Sequence, residues 1–130
     1  MELIKQCLAI GVGGFLGALS RYGVTRLIQD RVETTFPLGT LIVNLSGCFV
    51  LGFFNAVAEG RLSAGWRLGI AVGFVGAYTT FSTLMFDSST LMGRGEMYKA
   101  GLNLLVSLVI GLLAVRLGAV CGNGLRVMGR

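Results

Sequence analysis

Histidine is absent from this 130-residue chain, proline occurs once, and only six residues are acidic. The missing imidazole excludes a His-ligated metal site and His-based acid–base catalysis. Charged residues make up 13% of the chain. A soluble domain this short exposes most of its surface and needs more charge than that. The three cysteines, Cys7, Cys48 and Cys121, form no CxxC pair, and they read as small apolar residues in a reduced setting. The net charge is +5, but the basic residues stand singly. Without a basic run interleaved with aromatics, nucleic-acid binding is not expected. There is also no GxxxxGK[ST] loop and no nucleophile–base pair, so the chain does not read as an enzyme.

Long apolar runs dominate instead, with 54% hydrophobic residues and a mean hydropathy of +0.79. A membrane-spanning helix needs about 20 mostly apolar residues. Four such runs are expected, over about 3–22, 38–58, 66–92 and 97–120. They make one all-α transmembrane domain over 1–130. The links hold much of the charge: Arg26, Asp30, Arg31 and Glu33; Glu59 and Arg61; Arg94 and Glu96. The first run is expected to be a retained span. Glu2 precedes it, Lys5 is the only early base, and no A-x-A cleavage site follows.

Lys and Arg in short loops normally set orientation. Lys5, Arg61, Arg67, Arg116, Arg126 and Arg130 fall on one side of the membrane, six in all. Arg21, Arg26, Arg31, Arg94 and Lys99 fall on the other, five in all. So balanced a count fits either one orientation that the rule fails to predict or copies that insert both ways and pair antiparallel.

Glycine is abundant, at 21 residues. Gly13 and Gly17 form a GxxxG in the first span, and Gly69 and Gly73 form another in the third. Small residues let helix backbones approach closely in lipid. Polar side chains at membrane depth are costly and often functional. Thr40, Asn44 and Cys48 repeat every fourth residue in the second span, beside Gly47; Asn103, Ser107 and Gly111 do so in the fourth. Each set lies on one helix face. These stripes offer amide and hydroxyl donors without a carboxylate at the centre, which suits an anion better than a cation. Hydrogen bonding between helices is the plainer use of either stripe.

The third span reads Gly73-Phe74-Val75-Gly76-Ala77-Tyr78-Thr79-Thr80-Phe81-Ser82-Thr83. Glycines weaken a helix and hydroxyls satisfy freed backbone groups, so a break is expected mid-membrane. Carbonyls at such breaks commonly bind a cation. Two charges flank these features. Asp87 follows the break and Arg21 ends the first span; they are expected to pair, or Arg21 to draw anions into a vestibule.

These motifs resemble the Fluc (CrcB) family of fluoride channels. The resemblance rests on Gly13-Gly14-x-x-Gly17-Ala18-x-x-Arg21-Tyr22, on Pro37-x-Gly39-Thr40-Leu41-x-Val43-Asn44-x-x-Gly47, and on Gly73-Phe74-x-Gly76-x-x-Thr79-Thr80-Phe81-Ser82-Thr83. It covers almost the whole chain. It implies a passive fluoride-selective channel in the plasma membrane, built as an antiparallel, dual-topology homodimer with two pores. Asn44 is similar to the family's pore amide, and Phe81 to the first of two pore phenylalanines. Thr40, Thr83, Leu84, Asn103 and Ser107 complete the implied fluoride path. The resemblance also implies a structural sodium ion (Na+) at the dimer interface, held by the backbone carbonyls of Gly76 and Thr79 from both subunits.

The sequence departs from the family pattern at three places. Leu84 stands where a second Phe is usual, and leucine has no electropositive ring edge to offer. A natural variant, an engineered change or one half of a heterodimer would each account for it. Asp87 replaces a common Glu, and Asn103 replaces a Tyr found in some members. A small four-helix exporter is the main rival reading. Proton-coupled export of cations calls for a carboxylate deep in a span, commonly the first, and 3–20 contains none. A scaffold subunit would explain the glycines but not the polar stripes.

Overall fold

The chain is described by a computed structural model over residues 1–128; Arg130, counted above among the charges, lies outside the described residues. Helix α1 is Glu2–Gln29 and α2 is Leu38–Ala58. Helix α3 covers 64–78 in three parts: an α-helical turn Ala64–Arg67, a π-helix Leu68–Val75, and a last turn Gly76–Tyr78. Helix α4 is Phe81–Gly93 and α5 is Met97–Met128. Every regular element among the described residues is helical. Four stretches are long and apolar enough to cross a membrane: α1, α2, the pair α3–α4 and α5.

The second span coincides with α2 residue for residue. The first and fourth helices overrun the expected spans, to Gln29 rather than Tyr22 and to Met128 rather than Val120. Hydropathy marks the part of a helix that lies in lipid, while the helix itself runs on until a terminator. No proline interrupts either overrun. At 28 and 32 residues, α1 and α5 are about 42 and 48 Å long. Both exceed the hydrocarbon thickness of about 30 Å, so their polar ends project into water. Gly60 and Gly95 adopt positive φ of 73° and 78° just beyond α2 and α4, a backbone state that glycine enters at no steric cost.

Two glycine seams hold the bundle together. A Cβ on Gly13 would lie 2.0 Å from the Gly69 carbonyl oxygen, one on Gly17 2.1 Å from that of Phe74, and one on Gly73 2.6 Å from that of Ile10. The two GxxxG motifs therefore face each other and bring α1 against the π-helical part of α3. The second seam joins α2 to α5. There a Cβ on Gly52 would meet the Val115 carbonyl oxygen at 2.1 Å, and one on Gly118 would meet that of Phe49 at 2.1 Å. Packing at this range needs bare backbone on one side. Little else is buried: Val43, Val75, Leu91 and Ala100 form the main interior, while Leu8, Phe15, Leu105 and Leu112 point outward. So apolar an exterior belongs in lipid or against another chain.

Candidate functional site

The third span breaks at Thr79 and Thr80, both extended, with ψ of 157° and 113°. A break in lipid must satisfy the backbone groups it frees. Asn44 on α2 does this with one side chain. Its Nδ2 donates to the Thr80 carbonyl at 3.1 Å, and its Oδ1 accepts from the Thr80 N–H at 2.7 Å. The amide thus pairs with Thr80 as a neighbouring β-strand would. The Thr80 hydroxyl then caps α4, accepting from the Thr83 N–H at 3.3 Å. This is the N-cap geometry that threonine favours.

The clamp has a second effect. In a continuous helix the Thr80 N–H would bond to the Gly76 carbonyl, and the Thr83 N–H to the Thr79 carbonyl. Both donors are taken, by Asn44 and by the Thr80 hydroxyl. The carbonyls of Gly76 and Thr79 are thereby released from helical bonding, and Gly76 lies on the exposed face. Uncharged carbonyl oxygens of this kind suit a sodium ion. Among the described residues no cluster of His, Cys, Asp or Glu offers another metal site.

Three small cavities run past the break. The first, of about 280 Å3, opens among Thr34, Thr35, Arg94, Asp87, Thr40 and Thr83. The second, of about 220 Å3, adjoins Arg21, Thr40, Thr80 and Thr83. The third, of about 250 Å3, is lined by Asn44, Thr80, Phe81, Leu84 and Ser107. Thr40 and Thr83 line both of the first two, and Thr80 both of the last two, so the three cavities are neighbours that share threonines. A larger cavity, about 630 Å3, lies elsewhere, between α1 and α3, and is mainly apolar. It holds none of the residues of the expected fluoride path. A large apolar cleft is the usual mark of an organic-ligand site; a small ion needs donors, which places the candidate site at the break.

The expected pairing of Arg21 with Asp87 is corrected. Asp87 accepts a hydrogen bond from the Thr40 hydroxyl at 2.6 Å. The ion pairs among the described residues are Arg26–Asp30, Lys99–Glu96 and Arg126–Glu59. Arg21 instead faces the second cavity. The physical reason is local: Thr40 brings a short donor to the carboxylate from the adjacent helix. Where the first cavity opens, Lys99 and Thr35 both donate to Glu96. The Lys99 hydrogen bond first, then that of Thr35, holds the Glu96 carboxyl below its usual range.

Phe81 is 70% exposed on this single chain, as is Phe86 at 72%, whereas Leu84 is only 5% exposed. Asn103 is fully buried and donates to Ser88 Oγ at 3.0 Å. The sequence reading missed Ser88, Thr80's double role and Phe86. Ser88 and Asn103 lie on different helices with no shared periodicity, so no spacing signal joins them. Phe86 was findable as a second exposed aromatic of α4, five residues after Phe81 and so about 140° from it around the helix.

A family model described as "CrcB-like protein, Camphor Resistance (CrcB)" matches residues 8–119. The chain is similar to the fluoride-specific ion channel FluC of Trichormus variabilis, with 42% identity over 131 residues, covering 95% of this chain and 96% of that protein. It is 46% identical over 118 residues to fluoride-specific ion channel FluC 2 of Moorella thermoacetica, covering 91% and 97%. It is also 46% identical over 116 residues to the FluC of Acidobacterium capsulatum, covering 88% and 93%.

Proposed function

The chain belongs to the CrcB family, and from that premise we propose that it is a passive, fluoride-selective channel that lets fluoride leave the cell. It is a multi-pass protein of the plasma membrane and a transporter rather than an enzyme. The observation that carries the reading is the row of three neighbouring cavities that share Thr40, Thr83 and Thr80 and end at Asn44, Phe81 and Ser107. A small anion entering low dielectric unpaired faces a cost of order tens of kcal/mol. Hydroxyl and amide donors along the path replace part of its water shell. Arg94 at the first cavity and Arg21 at the second raise the local anion concentration. At the other end the cavity of Asn44 and Leu84 is mainly apolar, and there the electropositive edge of Phe81 faces the ion.

The functional unit is an antiparallel homodimer with two pores. The exposure of Gly76, Phe81 and Phe86 supports this, since it leaves the face around the break for a second copy. The near-equal Lys and Arg counts on the two sides agree with insertion both ways. Between the copies, the freed carbonyls of Gly76 and Thr79 hold a structural sodium ion. When bound, it ties the two breaks together. Asn103 stands one turn from Ser107, buried behind the path and bonded to Ser88.

Fluoride efflux from liposomes, read with a fluoride electrode against a chloride control, tests the proposal. Fast fluoride loss with chloride retained is the expected result; equal loss of both anions, or of neither, refutes a selective homodimeric pore. Leu84 favours one further reading, half of a heterodimer whose other chain supplies a ring. A preparation silent alone but restored by Leu84→Phe would select it.

A further inference from the structure

Ser88 of α4 joins the Asn103–Ser107 stripe of α5, and the three bring their polar atoms together out of contact with solvent. The Ser88 hydroxyl donates to the Leu84 carbonyl at 2.8 Å. Its one proton is then spent, so its oxygen can only accept, and it accepts from Asn103 Nδ2 at 3.0 Å. That chain fixes the amide. The carbonyl oxygen Oδ1 of Asn103 must point away from Ser88. It is buried and meets no protein donor, and the hydroxyl of Ser107 is likewise buried without a protein partner. A buried acceptor left in this state forfeits the hydrogen bond that water would have given it.

Asn103 and Ser107 are four residues apart on one face of α5, about 6 Å along the helix. The two atoms make no direct hydrogen bond, but one small molecule spans such a gap with a hydrogen bond at each end. Its chemistry is set by Asn103. A carbonyl oxygen repels an anion and accepts only from a donor, so the guest is a neutral hydrogen-bond donor and not fluoride. We infer that Asn103 Oδ1 and Ser107 Oγ bind one ordered water, and that this water makes the Ser107 hydroxyl a fixed donor toward the cavity of Asn44, Phe81 and Leu84.

The protons balance. The water gives one to Asn103 Oδ1 and one to Ser107 Oγ. The Ser107 oxygen has then accepted, and its own proton is left for the cavity it lines. A hydroxyl that could otherwise present either lone pair or proton is thus ordered to suit an anion. This second half rests on the reading of that cavity as a fluoride path; the water site itself does not.

The full-length protein, crystallised without fluoride at a resolution that places ordered water, tests the site directly. Density within hydrogen-bond distance of both Asn103 Oδ1 and Ser107 Oγ is expected. A direct contact between the two side chains, no density, or density that appears only with added fluoride overturns the site. Liposome efflux tests the proton ordering. Asn103→Leu is expected to slow fluoride loss about fivefold, the scale of one hydrogen bond. Ser107→Ala is expected to slow it at least as much, and the double variant no more than Ser107→Ala alone. If Asn103→Leu slows efflux equally in the Ser107→Ala background, Asn103 acts independently and the ordering is refuted. Water density in a wild-type protein that passes no fluoride would support the site and refute the channel reading.

Discussion

The half of the third span before the break is held by backbone contact, and the half after it by polar side chains. Helix α3 lies against α1 through Gly13, Gly17, Gly69 and Gly73, with carbonyl oxygens where side chains would be. Helix α4 is tied through Asn44–Thr80, Thr40–Asp87 and Asn103–Ser88. Close packing specifies position by exclusion and tolerates no added atom. Hydrogen bonds specify position by pairing and tolerate changes of shape that keep the donor and acceptor. A path for an ion needs both: a rigid wall on one side and addressable polar groups on the other.

The sharpest way to break this comparison is at the seam. Gly17→Ala places a methyl 2.1 Å from a backbone oxygen. It is expected to cost about 3 kcal/mol or more and to yield aggregated protein on size-exclusion chromatography. Gly11→Ala, with nothing within 4 Å, is the control and should behave as wild type. Equal behaviour of the two would remove the seam from the argument.

Next comes the clamp. Asn44→Leu strands both polar groups of the Thr80 backbone, at about 2–4 kcal/mol, lowering the thermal midpoint in detergent and abolishing fluoride efflux. Asn44→Asp keeps the acceptor but cannot donate to the Thr80 carbonyl, and it should also fail. An active Asn44→Asp would show that shape rather than pairing holds α4. Thr40→Val keeps the shape and deletes the donor to Asp87. A hydrogen bond to a charged group contributes about 1.5–3 kcal/mol, and a loss in that range in chemical unfolding is expected.

The smallest effect lies outside the membrane. The folded Glu96 carboxyl is held below its ordinary value of 4.5. Its contribution to stability is therefore complete above that value and is lost as pH falls through the lowered one. Glu96→Gln should lower the thermal midpoint slightly at neutral pH and leave it almost unchanged at acid pH, which flattens this limb; an unaltered limb would assign the acid sensitivity to another carboxylate. The side chain is exposed, so the effect is small and weakens with salt.

Much of this comparison could be read in the sequence, because lipid imposes simple rules. Apolar length gave α2 to the residue, GxxxG marked both faces of the α1–α3 seam, and the hydroxyl cluster marked the break. The stripes Thr40–Asn44 and Asn103–Ser107 marked the faces that bond to the third span, with Thr40 on Asp87, Asn44 on Thr80 and Asn103 on Ser88. What stayed hidden depends on contacts between distant segments. Gly118 and Gly122 form a further GxxxG in the fourth span, but periodicity does not say that it packs against the Gly52 region of α2. Charge alone proposed Arg21 for Asp87, whereas the carboxylate takes the nearer hydroxyl. The π-helix over Leu68–Val75 has no composition signal of its own, because the same apolar residues suit an α-helix equally well.

The Asn44 clamp also bears on biosynthesis. Its side chain precedes the break by 36 residues, so the second span is made before the segment that needs it. When Thr79 and Thr80 reach the bilayer, their stand-in strand is already there. The break need never face lipid bare, and a chain that lost or delayed its second span would present quality-control machinery with an unpaired backbone at the middle of the membrane.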